Sequence, residues 1–215
     1  MSRRYPAIAF TDDVRTEQRR HGSDRFYERK RVAGAVSTTP DPLGEDEREY
    51  LAECDGFYLA SVSATGWPYV QFRGGPPGFL RVVDAHTIGW ADFRGNLQYV
   101  TTGNVSGDDR VALIALDYVH RRRLKIFGHA RAVAAETDPD LCRSLAVPGY
   151  DAVVERAVLV TVEAFDWNCP QHITPRFSQA DLAPTLEGMR RELDALRAEN
   201  ADLRARLDDD QPAPN

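Results

Sequence analysis

Gly66-Trp-Pro-Tyr-Val-Gln-Phe-Arg-Gly-Gly75 is followed one hairpin later by Ala91-Asp-Phe-Arg-Gly-Asn-Leu-Gln-Tyr99. Aromatic and β-branched residues, Tyr69 and Val70 in the first case and Ile88 and Trp90 in the second, lead into the same tripeptide, Phe-Arg-Gly, so each reads as a β-strand ending on an arginine. Arg73 and Arg94 then emerge beside glycines, which allow a ligand to approach the backbone closely. The planar guanidinium fork suits a phosphate. The pair reads as an anion cradle at the ends of two strands. On spacing alone, the same residues read equally well as exposed strand ends with turn glycines.

The surrounding pattern is also β. Residues 57–64 form one run, Thr65-Gly66 a tight turn, and 68–73 the strand that ends on Arg73. Residues 79–83 and 87–92 make the next hairpin, with Asp84 and His86 at its bend. Residues 110–119 and 122–133 are longer strands joined at His120-Arg-Arg, and 153–165 accumulates Val and Leu as a last long strand. Between them, 95–100 predicts a short helix opening just after the second Phe-Arg-Gly. That helix would aim free N–H groups at an anion. Residues 138–146 predict a second helix, opened by Asp-Pro. The expected fold class is mainly β (α+β): a six-stranded antiparallel barrel with short helices.

Residues 1–44 are polar and arginine-rich and predict an N-terminal arm, followed by the barrel over 45–180, entered through a short helix from Asp46. At the C-terminus, Leu182, Leu186, Met189, Leu193, Leu196, Asn200, Leu203 and Leu207 alternate in steps of four and three. This is a heptad seam with Asn200 at an a position, so 181–208 predicts a coiled-coil helix, and 209–215 a disordered tail. Glu192 and Glu199 fall at g, Arg197 and Arg204 at the following e positions. The alternative is an amphipathic helix lying on its own barrel.

With 42% hydrophobic residues among 215, the chain can bury one good-sized core plus an appendage. A net charge of −6 and pI near 5.4 argue against a general nucleic-acid binder, which needs a clustered positive field. The sequence contains neither a run of membrane-spanning length nor an apolar leader after Met1, so a cytoplasmic protein is expected, with no membrane partner. Cys54, Cys142 and Cys169 are scattered and odd in number, which does not suggest a disulfide framework. Cys169 and His172 form a Cys-x-x-His pair without a second pair at ligand spacing, so no metal site is expected. Neither a Gly-x-Ser-x-Gly elbow nor a phosphate-binding P-loop occurs.

From Phe57 to Phe177 the sequence resembles the FMN-binding split-barrel proteins related to pyridoxamine 5'-phosphate oxidase, in particular their flavin-nucleotide-binding subgroup. The resemblance rests on Trp67-Pro-Tyr-Val-Gln, Arg73-Gly-Gly-Pro-Pro-Gly-Phe79, Asp92-Phe-Arg-Gly-Asn96, Arg122-Arg-Leu-Lys125 and Asp166-Trp-Asn-Cys-Pro-Gln-His-Ile-Thr-Pro-Arg-Phe177. It implies a split barrel, a homodimer, and FMN with its phosphate on Arg73 and Asn96-Leu97-Gln98. Asp92 would lie under the ribityl chain, and Gln71 and Phe72 would face the ring, with Gly74 and Ala91 beside them. The partner subunit would contribute Arg123, Trp167, Gln171 and His172. A core residue closing the barrel is the other reading of Trp167.

This chain departs from the subgroup pattern at Leu97, where arginine is usual, and at Phe72, where histidine is usual. The first departure removes a charged phosphate donor commonly contributing about 1.5–3 kcal/mol. Arg94 is the nearby replacement charge, unless the site takes another cofactor such as a deazaflavin. The resemblance implies an FMN-dependent oxidoreductase with a small-molecule substrate or electron donor. A non-catalytic flavin or haem carrier or sensor, or a deazaflavin-dependent reductase, are the alternatives that the same fold allows.

Overall fold

A computed structural model describes residues 4–33, 39–167 and 171–209, without the side chains of 29–33 and 207–209. The chain divides into two units, Met1–Ile173 and Thr174–Asn215. In the first, helices α1 (Tyr5–Ala9), α2 (Asp12–Arg20), α3 (Asp24–Ala33) and α4 (Glu45–Glu53) precede strands β1 (Gly56–Val62), β2 (Pro68–Gly74), β3 (Arg81–Asp84) and β4 (Thr87–Phe93). Helix α5 (Val100–Gly107), strands β5 (Arg110–Asp117) and β6 (Arg122–Ala134), helix α6 (Pro139–Leu145) and strand β7 (Val154–Trp167) complete it. The second unit is helix α7 (Gln179–Asp209).

The strands form one antiparallel sheet in the order β2-β1-β5-β6-β7-β4-β3. It holds seven strands where six were expected. The short edge strand β3 pairs with β4 alone, and Phe79 and Leu80, at the start of the expected run, are buried in the core instead. Alternation along the strands points Phe57 and Leu59 of β1, Val111 and Leu113 of β5, and Leu124 and Ile126 of β6 into one core. The Phe57 ring packs edge-on to Trp90 at 5.0 Å and is stacked with Phe79 at 5.8 Å. The long β6–β7 ribbon bends at an irregularity between Phe127 and Gly128. Only glycine fits there, because a Cβ would lie 2.5 Å from the Thr161 carbonyl oxygen.

The N-terminal segment docks on the barrel: Tyr5 is stacked with Phe127 at 5.0 Å, Lys125 Nζ lies over the Tyr5 ring, and Arg4 Nε donates to Glu163 Oε2 at 2.6 Å. Helix α4 is anchored to the strands through Tyr50, whose hydroxyl donates to the carbonyls of Ala115 and Arg122 at 2.9 and 3.3 Å. The Arg122 guanidinium sits over both Tyr50 and Trp167, at 5.0 and 4.9 Å. Residues 95–99 are not the expected helix. Leu97 and Tyr99 adopt left-handed backbone, with φ of 62° and 51°, and the Asn96 side chain accepts from the Gln98 N–H at 3.3 Å. That local bond offers the backbone an alternative to a helical turn, so α5 opens only at Val100. Among the described residues no helix is long and apolar enough to cross a membrane.

Burial, aided by neighbouring carboxylates, pushes the Cys54 thiol up to about 12, and burial likewise raises the Tyr50 phenol well above its ordinary value. An acid whose folded-state pKa is raised adds stability that is intact below its unfolded value and drains away as the pH climbs above it. The urea midpoint of the native protein should therefore fall above pH 9.0, the ordinary thiol value, with a smaller fall in Cys54→Ala. At neutral pH, Tyr50→Phe should lower the unfolding free energy by about 1–2 kcal/mol, because the buried Ala115 carbonyl and the part-buried Arg122 carbonyl lose a shared donor. An unchanged midpoint would show that these bonds contribute nothing.

Candidate functional site

Strands β2 and β4 are far apart in the sheet order, yet the ends that carry the two Phe-Arg-Gly tripeptides meet across the closure of the barrel. Arg73 Nη1 of β2 lies 3.0 Å from Asp92 Oδ1 of β4. The second oxygen of Asp92 accepts from Arg156 Nη1 of β7, also at 3.0 Å. Asp92 and Arg156 are cross-strand partners in the β4–β7 register, so the sheet itself sets this pairing. Asp92 is 3% exposed, and the two guanidiniums that cover it are mostly buried. A carboxylate so enclosed is stable only when paired on both sides.

A second layer of charge lies beside the first. Glu155 accepts from Arg94 Nε at 3.0 Å, from Arg156 Nη2 at 3.0 Å and from the Tyr99 hydroxyl at 3.2 Å. The hydrogen bond from Arg94, followed by that from Tyr99, holds its carboxyl below the usual glutamate value. The Tyr99 ring lies 4.9 Å under the Arg156 guanidinium. Helix α5 is tied to the strands by Thr101 Oγ1 donating to Gln71 Oε1 at 2.9 Å and Asn104 Nδ2 donating to Ser61 Oγ at 3.0 Å.

These elements enclose a cleft of about 260 Å³. Gln71, Phe72, Arg73 and Gly74 of β2, Ala91 and Asp92 of β4, and Asn96, Leu97 and Gln98 of the turn all border it. Arg94 does not. It turns toward Glu155 with its side chain 60% exposed, and the second guanidinium in the cleft is that of Arg156. Sequence reasoning missed Arg156, Glu155, Tyr99 and Thr102. The available signal was a Glu-Arg pair opening a strand otherwise rich in Val, Leu and Ala.

Arg123, Trp167, Gln171 and His172 do not border the cleft of their own chain. Trp167 packs edge-on to Tyr50 at 4.7 Å and donates Nε1–H to Glu47 Oε1 at 2.6 Å. Arg123 Nε is buried without a hydrogen-bond partner. Gln171 and His172 are exposed, His172 with φ of 63°. Asn168, Cys169 and Pro170 lie outside the described residues.

The cleft suits an anion bearing several acceptor oxygens. Arg73 Nε is buried with no acceptor, and at Gly95 a Cβ would meet nothing within 4 Å, so the turn is open to a ligand. Guanidiniums of Arg73 and Arg156, the Thr102 hydroxyl and the turn's backbone supply the donors. Among the described lining residues there is no Ser, Cys, His or Lys, and both carboxylates are held in ion pairs. The chemistry this lining offers is that of hydrogen-bond donors and fixed charge.

A family profile described as pyridoxamine 5'-phosphate oxidase matches residues 43–159. No curated protein matches the chain. Among solved structures, HupZ of Group A Streptococcus is similar at 14% identity and a TM-score of 0.49, over 63% of this chain and 99% of that one. A candidate pyridoxamine 5'-phosphate oxidase of Lactobacillus delbrueckii is similar at 20% identity and a TM-score of 0.45, over 60% and 97%. HutZ, the haem storage protein of Vibrio cholerae, is similar at 14% identity and a TM-score of 0.35, over 54% and 86%.

Replacing the shared carboxylate by an amide isolates the role of the ion cluster. Asp92→Asn should lower the unfolding free energy by about 3 kcal/mol, because it leaves two mostly buried guanidiniums facing one another. Inorganic phosphate should then raise the melting temperature of the variant more than that of the native protein. Equal responses to phosphate would count against Arg73 and Arg156 as the anion donors.

Proposed function

This chain belongs to the pyridoxamine 5'-phosphate oxidase family, and we propose that its cleft holds FMN in a homodimeric, flavin-dependent oxidoreductase that acts on a small molecule. The observation that carries this reading is the Arg73–Asp92–Arg156 cluster beside the open turn at 95–98. Arg73 and Arg156, with Thr102 and the backbone N–H groups of the turn, are the residues to hold the phosphate. Arg156 stands in for the arginine that is missing at Leu97. Asp92 keeps the two guanidiniums in place, and Gln71 and Phe72 border the remainder of the cleft on the β2 side. When bound, FMN supplies hydride and electron transfer, and the protein tunes and orients it.

The homodimer is supported by a sheet face that its own chain leaves bare. Tyr58 and Val62 of β1 and Val70 and Phe72 of β2 are exposed, and the register places Tyr58 opposite Phe72 and Val62 next to Pro68. A contiguous apolar patch of this kind marks a protein interface. Phe72 joins the patch to the cleft, so a second copy seated here adds walls to the site. The volume fits that arrangement: about 260 Å³ falls short of the roughly 300–1,000 Å³ of a complete small-molecule pocket. Arg123, Trp167, Gln171 and His172 are the residues assigned to the partner's side of the site.

The absorption spectrum of the purified protein tests the reading. Flavin bands support it, whereas a haem band moves it to a carrier or sensor and a deazaflavin band to the corresponding reductase. Arg73→Ala should weaken FMN binding by about 2 kcal/mol, and Leu97→Arg should strengthen it. Unchanged affinity in both variants removes the phosphate assignment. Reduced nicotinamide cofactor or another physiological donor, added without air, should bleach the bound flavin. A flavin inert to every donor replaces the oxidoreductase by a carrier.

A further inference from the structure

We propose that α7 is one strand of a parallel two-stranded coiled coil, and that the other strand is α7 of a second copy of this chain. The helix is continuous for 31 residues, about 46 Å at 1.5 Å per residue, and forms a unit of its own. Leu182, Leu186, Met189, Leu193, Leu196 and Leu203 alternate along it in heptad steps, and every one is between 41% and 61% exposed. No described residue of the helix's own unit covers this seam. An uncovered a/d stripe of this length is a narrow seam, suited to a partner helix and too narrow for an interfacial membrane helix.

The charges name the partner. With Leu193 and Asn200 at a, the g positions hold Glu192 and Glu199 and the e positions Arg197 and Arg204. A parallel partner places each glutamate against the arginine five residues further along the other copy. An antiparallel partner would oppose g with g and e with e, glutamate against glutamate and arginine against arginine. On its own helix Arg197 approaches Asp194 and Arg206 approaches Asp202, while among the described residues Glu192, Glu199 and Arg204 have no ionic partner. The sequence complements itself in one orientation only. Asn200, exposed at an a position, would pair with its counterpart and hold two strands in register. The helix breakers stay off the seam, Pro184 at f and Gly188 at c.

Cysteine cross-linking in the full-length protein tests this. In a Cys169→Ser background the remaining thiols, Cys54 and Cys142, are buried. Leu203→Cys places a thiol on the seam and Ala198→Cys places one at f, on the far side. With oxidised glutathione, Leu203→Cys should give the interchain disulfide many times faster than Ala198→Cys. Equal rates, or no disulfide from Leu203→Cys, would overturn the proposal. So would vesicle binding by the helix in place of cross-linking. Adding Glu192→Arg with Glu199→Arg, or Arg197→Glu with Arg204→Glu, should slow the Leu203→Cys cross-link, and co-expressing the two charge variants should restore it as a heterodimer. A cross-link indifferent to these reversals would also overturn the pairing. The readout does not depend on any cofactor, so its failure leaves the reading of the cleft untouched.

Discussion

Asp92 holds two arginines from two other strands, and the site depends on that one carboxylate. The sheet runs open from β2 to β3 in hydrogen-bond order, and no backbone ladder joins its β2 edge to β4. Arg73 crosses that gap and Arg156 answers from β7. Three residues separated by 19 and 64 positions in sequence are thus brought to one point. The cleft, the orientation of α5 and the placement of the 95–99 turn follow, because α5 is fastened to Gln71 of β2 and Ser61 of β1 on the same side.

The arrangement also explains how the site tolerates its own charge. Three guanidiniums and two carboxylates lie within a few ångströms, and an unpaired member would be expensive to keep out of water. Each carboxylate is therefore shared. Asp92 serves Arg73 and Arg156, and Glu155 serves Arg94 and Arg156, with Tyr99 closing over the last of these. Three guanidiniums against two carboxylates leave one net positive charge on the cluster, which is what an anion would meet there.

Most of the barrel was legible because alternation is a local signal. Phe57, Leu59, Leu113 and Ile126 announce an inward face from their own neighbours, whatever strand they pair with. The candidate site was legible where it is local too: Arg73, Asp92 and Asn96 sit in the two repeated motifs. Arg156 was missed because its role depends on the β4–β7 register, which no window of sequence contains. Arg94 looked like the second cleft cation because it shares the motif with Arg73. The residue after the strand end faces Glu155 instead, once the ladder shifts at Phe93. The helix expected at 95–100 gave way to α5 because the Asn96 side chain captured an N–H that a first helical turn would have used. Trp167 found its hydrogen-bond partner 120 residues upstream, at a helix cap.

The left-handed residues of the turn have a further implication. Leu97 and Tyr99 both hold backbone that side chains other than glycine and asparagine disfavour, at a cost of roughly 1–2 kcal/mol each. What offsets that cost is the Asn96–Gln98 bond within the turn, the anchored α5 and the Arg156 guanidinium over Tyr99. Glycine or asparagine at position 97 would relieve part of that cost without a change in the main-chain path. The strain is thus stored beside the cleft, in the turn whose open side lies at Gly95.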